Sequence, residues 1–228
     1  MRWVGCGMRE EMDSRRRRLV ETLCLGVLVT LAFYGVPYWI YRITWRQLGG
    51  GLFPPAWMGW YYHLLFLAFA LVLTAGSWRR SGLRIGAIRT HWRKVLLFCG
   101  LPILLTAVVY PLLPTRPFGR EHMGIWLISP LAQDLVFPGY LYGRLEPLLP
   151  SRLHRRVPIR RALVVTSALF SLWHLPNLLA IPAGFVAFQL CYTFLGGILV
   201  GLTRQWTGSM LYITLSHMAV NFIAWSAS

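Results

Sequence analysis

The sequence predicts an all-α membrane protein of about seven transmembrane helices, because long apolar runs recur along the chain and each approaches the roughly 20 residues that cross a bilayer. Composition agrees, with 56% of the 228 residues hydrophobic and 13% charged, where soluble domains carry roughly a quarter charged residues. The third observation is placement: the charges cluster between the runs, not within them. In lipid a segment must satisfy its own backbone polar groups, and isolated short strands cannot, so the runs are helices.

The runs cover residues 19–40, 57–78, 95–113, 124–148, 162–180, 183–205 and 209–227. The first follows Ser14-Arg15-Arg16-Arg17-Arg18, but no small-residue cleavage site succeeds it, so it reads as a retained helix and not a removed signal. Residues 1–18 form a basic cytoplasmic tail and residues 19–228 the transmembrane domain. Gly49-Gly50-Gly51 and Pro54-Pro55 mark an external turn. Residues 79–94, with Trp78, Leu83, Ile85, Ile88 and Trp92, have the pattern of an interfacial amphipathic segment. In the fourth run Pro130 and Pro138 permit local rotation or unwinding. Pro176 ends or kinks the fifth.

A net charge of +16 would suggest nucleic acid in a soluble protein, but its distribution rejects that partner. With the N-terminus cytoplasmic, nineteen basic residues fall on the cytoplasmic side, and Arg42, Arg46, Arg116 and Arg120 fall opposite. That is the positive-inside asymmetry; it places the C-terminus outside, as in a bacterial-type inner or plasma membrane. The basic loops also suit anionic lipid. Cys6, Cys24, Cys99 and Cys191 have no metal-ligand spacing and read as small hydrophobes.

Ionisable groups at bilayer depth are costly and mark function by default. Asp134 is the one carboxylate well inside a run, and His63, His174 and His217 accompany it with Gln133, Asn177 and Asn221. His217 and Asn221 are one helical turn apart and share a face, as do Phe170 and His174. Asp134, His174 and His217 fall at matched depth, so the fourth, fifth and seventh helices can bring them together. His63 has no polar residue one turn away and reads as an interhelical hydrogen-bonding residue.

These residues resemble the motifs of the CAAX protease and bacteriocin-processing (CPBP, or ABI) family of intramembrane proteases, over about residues 124–225. The family carries two adjacent glutamates with an arginine four positions after the second, then Phe-x-x-x-His, then His-x-x-x-Asn or Asp, each on its own helix. Here the matching stretches are Gln133-Asp134-Leu135-Val136-Phe137-Pro138-Gly139-Tyr140, Phe170-Ser171-Leu172-Trp173-His174 and His217-Met218-Ala219-Val220-Asn221. Gly139, Tyr140, Leu141, Gly143 and Arg144 after the first, and Leu175-Pro176-Asn177 after the second, extend the likeness.

The resemblance implies an endopeptidase acting on membrane-anchored proteins, in which the first glutamate takes a water proton, the second motif's histidine supports it, and the third motif's pair stabilises the oxyanion. The position of that glutamate is Gln133, whose amide cannot accept a proton at physiological pH. Asp134 replaces the second glutamate and Pro138 the arginine. If the site is active, Asp134 is the base or polariser, His174 its partner, His217 and Asn221 the oxyanion donors, and Gln133 an orienting group. No cofactor is required by a glutamic-type site, whereas two histidines, Asp134 and Asn221 could in principle surround zinc. The alternative is a noncatalytic pseudoprotease, a binding partner or chaperone of membrane or lipidated proteins. A small transporter ranks last, since no paired broken helices of the inverted-repeat kind are visible.

Overall fold

The computed structural model describes residues 4–47, 55–112 and 123–226. Helix α1 runs Val4–Gln47, α2 Pro55–Thr74, α3 Trp78–Ser81 and α4 Ile88–Val109. Helix α5 (Met123–Asp134) passes through a π-helical segment, Leu135–Leu141, into α6 (Tyr142–Leu145). The strands β1 (Arg152–His154) and β2 (Val157–Arg160) precede α7 (Arg161–Leu172), a 3-10 turn at Leu175–Leu179, α8 (Ala183–Thr207) and α9 (Leu211–Ser226). The fold is all-α apart from this one hairpin among the described residues.

Each of the expected apolar runs has become helix. Arg16–Thr44, Ile88–Leu112, Arg161–Leu179 and Ala183–Thr207 are long and apolar enough to cross a membrane, and Trp60–Thr74 is a shorter apolar helix. The chain is an integral membrane protein. Many large apolar side chains face outward, among them Leu31, Val72, Leu97 and Leu104, which is the inverse of a soluble surface and suits a surround of hydrocarbon.

Three local features go beyond the apolar runs. The basic tail is helical from Val4 onward, so α1 is one continuous helix of 44 residues. Residues 79–94 do not form one amphipathic helix. They divide into α3, a loop and the start of α4: Gly82 caps the end of α3 in the left-handed conformation with φ of 75°, a common helix stop, and Gly86 turns the loop with φ of 65°. The basic connection after α6 folds into an antiparallel hairpin pairing Arg152 with Arg160 and His154 with Val157. Arg160 fastens it to the bundle through an ion pair with Glu146, and its backbone N–H donates to Gln205 Oε1 at 3.2 Å. The expected glycine and proline turn at 49–54, Arg116, Arg120 and the C-terminal Ser228 lie outside the described residues.

Helix packing makes a ring. Helix α5 packs on α9, α9 on α4, α4 on α8, α8 on α7, and α7 on the π segment that continues α5. Gly201 on α8 shows how close one of these contacts is, since a Cβ there would sit 2.3 Å from Leu163 Cδ1 of α7. Gly197 and Gly201 form the small-xxx-small pattern that lets membrane helices approach. Helices α1 and α2 pack outside the ring against α5, α7 and the π segment. There Phe33, Phe66, Ala70, Val136, Phe137 and Leu141 are buried in the largest apolar cluster, stiffened by edge-on contacts such as Phe33 with Phe66 at 5.1 Å between centroids.

Candidate functional site

The ring encloses a cavity of about 410 Å³. Aromatic and aliphatic side chains form most of its wall, and Gln133, Asp134, His174, His217 and Asn221 all reach it. The polar residues come from the fourth, fifth and seventh helices of the sequence, as expected. The wall is wider than those three helices, for Tyr34, Phe66, Leu105 and Phe188 bring α1, α2, α4 and α8 to it as well.

Helix α5 reaches the cavity through an irregularity that its sequence dictates. In an α-helix the ring of Pro138 would strike the carbonyl four residues back, and proline has no N–H to bond it. That carbonyl belongs to Asp134. The π spacing moves the next available partner to residue 139, and Gly139 accepts the close approach: a Cβ on it would lie 2.9 Å from the Asp134 carbonyl oxygen and 3.5 Å from Met210 Sδ. The turn starts immediately after Asp134, so this residue sits at the boundary between two helical registers. Gln133 and Asp134, about 100° apart on a regular helix, both line the cavity.

Asp134 is 2% exposed. Its Oδ1 lies 3.2 Å from His217 Nδ1, a contact that joins α5 to α9 directly. A carboxylate oxygen accepts, so Nδ1 of His217 carries the hydrogen. Oδ2 of Asp134 and Oε1 of Gln133 are buried without a hydrogen-bond partner, an expensive state for polar atoms. The other end of the Gln133 amide is committed, with Nε2 donating to Ser129 Oγ at 2.7 Å. Two unsatisfied acceptors thus sit on consecutive residues that line one cavity.

His174 is buried where α7 gives way to the 3-10 turn that Pro176 enforces. Its Nδ1 lies 3.0 Å from the Phe170 carbonyl oxygen. A carbonyl can only accept, so Nδ1 donates and Nε2 of the neutral ring keeps a lone pair. Phe170 packs edge-on between the two histidines, 5.1 Å from the ring of His174 and 5.7 Å from that of His217. Behind His174, Trp173 stacks on Phe33 at 5.3 Å, which fixes the turn from the α1 side. Asn177 Nδ2 donates to Gln189 Oε1 of α8 at 2.9 Å, tying the far end of the same turn. Asn221 lines the cavity one turn beyond His217.

His63 also lines it, from α2. Spacing along α2 gives His63 no polar neighbour, whereas the cavity sets it among polar residues of other helices. Ser129, one turn before Gln133 on the same helix, joins the site through its hydroxyl, a partner that the i, i+4 spacing makes legible. As for metal, no three His, Cys, Asp or Glu side chains converge as ligands among the described residues. The donor set does not fit a zinc site as it stands, because one oxygen of Asp134 and Nδ1 of His217 are turned toward each other.

The molecule is thus a polytopic helical membrane protein with a polar group of side chains enclosed by its helices. Residues 120–223 match the family model described as type II CAAX prenyl endopeptidase Rce1-like. That stretch carries all three motifs, and the match agrees with the resemblance read from them. No curated protein and no solved structure matches the chain.

Proposed function

We propose that this protein is a CAAX-protease-like intramembrane endopeptidase acting on membrane-associated proteins, with Asp134 in place of the family's first glutamate as the group that activates water. The observation that carries the reading is the asymmetry of the Asp134 carboxylate: Oδ1 is held by His217, and Oδ2 is buried without a hydrogen-bond partner on a residue that lines the cavity. A water bonded to Oδ2 would give up its proton there as its oxygen attacks a peptide carbonyl carbon. His174, whose Nε2 is left as an acceptor, would hold or orient that water. With hydrogens on both ring nitrogens, His217 would donate through Nε2, beside the Asn221 amide, to the developing oxyanion, and the proton on Asp134 would pass to the departing amine. Gln133 orients substrate or water.

The wall supports the substrate class. A cavity rimmed by Phe66, Phe170 and Phe188 favours an apolar chain, whether a helix or a lipidated terminus, over a soluble peptide. The basic residues on one end of the bundle are read as cytoplasmic, with the C-terminus opposite.

A second reading is a noncatalytic relative that binds such proteins without cutting them. Its observation is Gln133, an amide where the family has a carboxylate, with its Nε2 already bonded to Ser129. Processing of a co-expressed substrate by wild type and by Asp134→Asn separates the two. The enzyme reading expects cleavage by wild type and a loss of about 10²-fold or more in the variant. Equal cleavage by both removes Asp134 from the chemistry, and cleavage by neither favours the binding reading.

A further inference from the structure

A second cavity, of about 390 Å³, opens at the arginine-rich end of the bundle between α3 and its following loop, α6, and the end of α8. Arg79, Arg80, Arg84 and Arg204 line it. The one carboxylate among its described lining residues is Glu146, and that group is ion-paired with Arg160. Among the described residues none of the four arginines has an ion-pair partner.

Arg204 anchors the arrangement. It is 5% exposed, its guanidinium carbon lies 5.1 Å over the Tyr142 ring, and it donates to the backbone carbonyls of Ser81 and Arg80. Those carbonyls end α3, so Arg204 fixes the segment that presents Arg79, Arg80 and Arg84. Arg84 donates to the Gly208 carbonyl at 3.2 Å, pinning the loop to the end of α8. Carbonyl dipoles lower the cost of burying a guanidinium but carry no net charge. Capping α3 needs one arginine. Gathering three more around it leaves an uncompensated positive cavity that α3 itself does not require.

We propose that this cavity binds a terminal phosphate group, supplied either by a phospholipid headgroup that ends in phosphate, as in phosphatidic acid, or by free phosphate. Guanidinium forks match phosphate oxygens in pairs, and a set of them held by backbone contacts loses little freedom on binding. Trp206, on the rim, carries the Lys94 ammonium 4.8 Å over its ring, and tryptophan with lysine is a pairing suited to the headgroup level. The site is separate from the apolar cavity and independent of any peptidase chemistry.

Full-length protein in neutral detergent is titrated with short-chain phosphatidic acid, with phosphatidylcholine of the same chain length as control, and then with sodium phosphate as competitor, following Trp fluorescence and native mass. The pocket variant is R79Q/R80Q/R84Q, which spares Arg204 and changes only exposed side chains. A variant of equal charge, R152Q/R155Q/R156Q, alters exposed arginines of the hairpin region. The expected result is binding of phosphatidic acid over phosphatidylcholine, weakened at least about tenfold in the pocket variant and less than about twofold in the hairpin variant. Competition by sodium phosphate supports a site that reads phosphate alone, and lack of competition supports one that needs the lipid. Equal loss in both variants, equal binding of the two lipids, or no binding by wild type overturns the proposal.

Discussion

His217 Nδ1 and Asp134 Oδ1 meet at 3.2 Å, a direct polar link between α9 and α5 inside the helix ring. The side chain of Asp134 is 3% exposed and that of His217 17%, so the aspartate is the more deeply buried of the two. In such a place a carboxylate that lost its partner would keep its desolvation cost with less to offset it.

This contact should be measurable as a coupling. A double-mutant cycle with Asp134→Asn and His217→Gln, scored by unfolding in detergent, is expected to give an interaction of about 1–3 kcal/mol. His217→Ala alone should destabilise by a similar or larger amount, because it strips the hydrogen bond from Oδ1 while Oδ2 already lacks one. Additive single variants would mean that the two groups do not act on each other.

The π segment gives a prediction about backbone. Gly139→Ala would place a Cβ 2.9 Å from the Asp134 carbonyl oxygen, a distance that forces the turn to shift, at a cost of about 1–3 kcal/mol. Gly35→Ala in α1 meets nothing within 4 Å and serves as the control, expected to be neutral or stabilising by up to about 1 kcal/mol. Thermal unfolding of the two variants reads the difference directly. A Gly139→Ala protein as stable as the control would show that the close approach at the turn is not required.

Much of this fold was legible because its physics is one-dimensional. The length of an apolar run is dictated by the bilayer, so α1, α4 and α8 follow from counting. The break after His174 was legible from Pro176 for the same reason: a missing N–H is a local fact. The π turn was only half legible. Pro138 announced a disturbance, but its form depends on Gly139 tolerating the Asp134 carbonyl, and on Met210, just before α9, packing against it. The ring order of the helices was not legible at all, because it depends on close contacts between helices such as that of Gly201 with Leu163. That His63 lines the cavity was not legible, because helical spacing reveals neighbours on one helix, while the cavity is assembled across seven segments. Arg204 counted in the sequence as one more basic residue, and only tertiary packing reveals that it is buried against the end of α3.

Orientation rests on charge and yields its own test. With Cys6, Cys24, Cys99 and Cys191 replaced, a cysteine introduced at Ser151 should resist an impermeant thiol reagent in intact cells, and one at Gly50 should react. The reverse pattern would invert the topology and place the arginine-lined cavity on the external side.

The chemistry at residue 133 can be tested without knowing the natural substrate in advance, provided one cleaved protein is in hand. If Asp134 activates the water, Gln133→Ala removes an orienting group and one unsatisfied acceptor but leaves the base. Cleavage should then fall by a modest factor, roughly tenfold, with most of the effect in the chemical step. Gln133→Glu restores the carboxylate that the family carries, yet it should not raise activity on its own. It would set a second acid next to Asp134 in a closed pocket, where two like charges cannot both be held without a cation, and Pro138 occupies the position of the family's arginine. Pro138→Arg in addition supplies that cation, but it also restores a backbone N–H opposite the Asp134 carbonyl and so removes the reason for the π turn. The double variant is therefore expected to lose the Asp134 to His217 contact and to be no more active than wild type. Measured cleavage by wild type, Gln133→Ala, Gln133→Glu and the double variant should decrease or stay level in every case. A gain of about tenfold or more in Gln133→Glu would show that the site was waiting for its missing glutamate and that Asp134 is not its replacement.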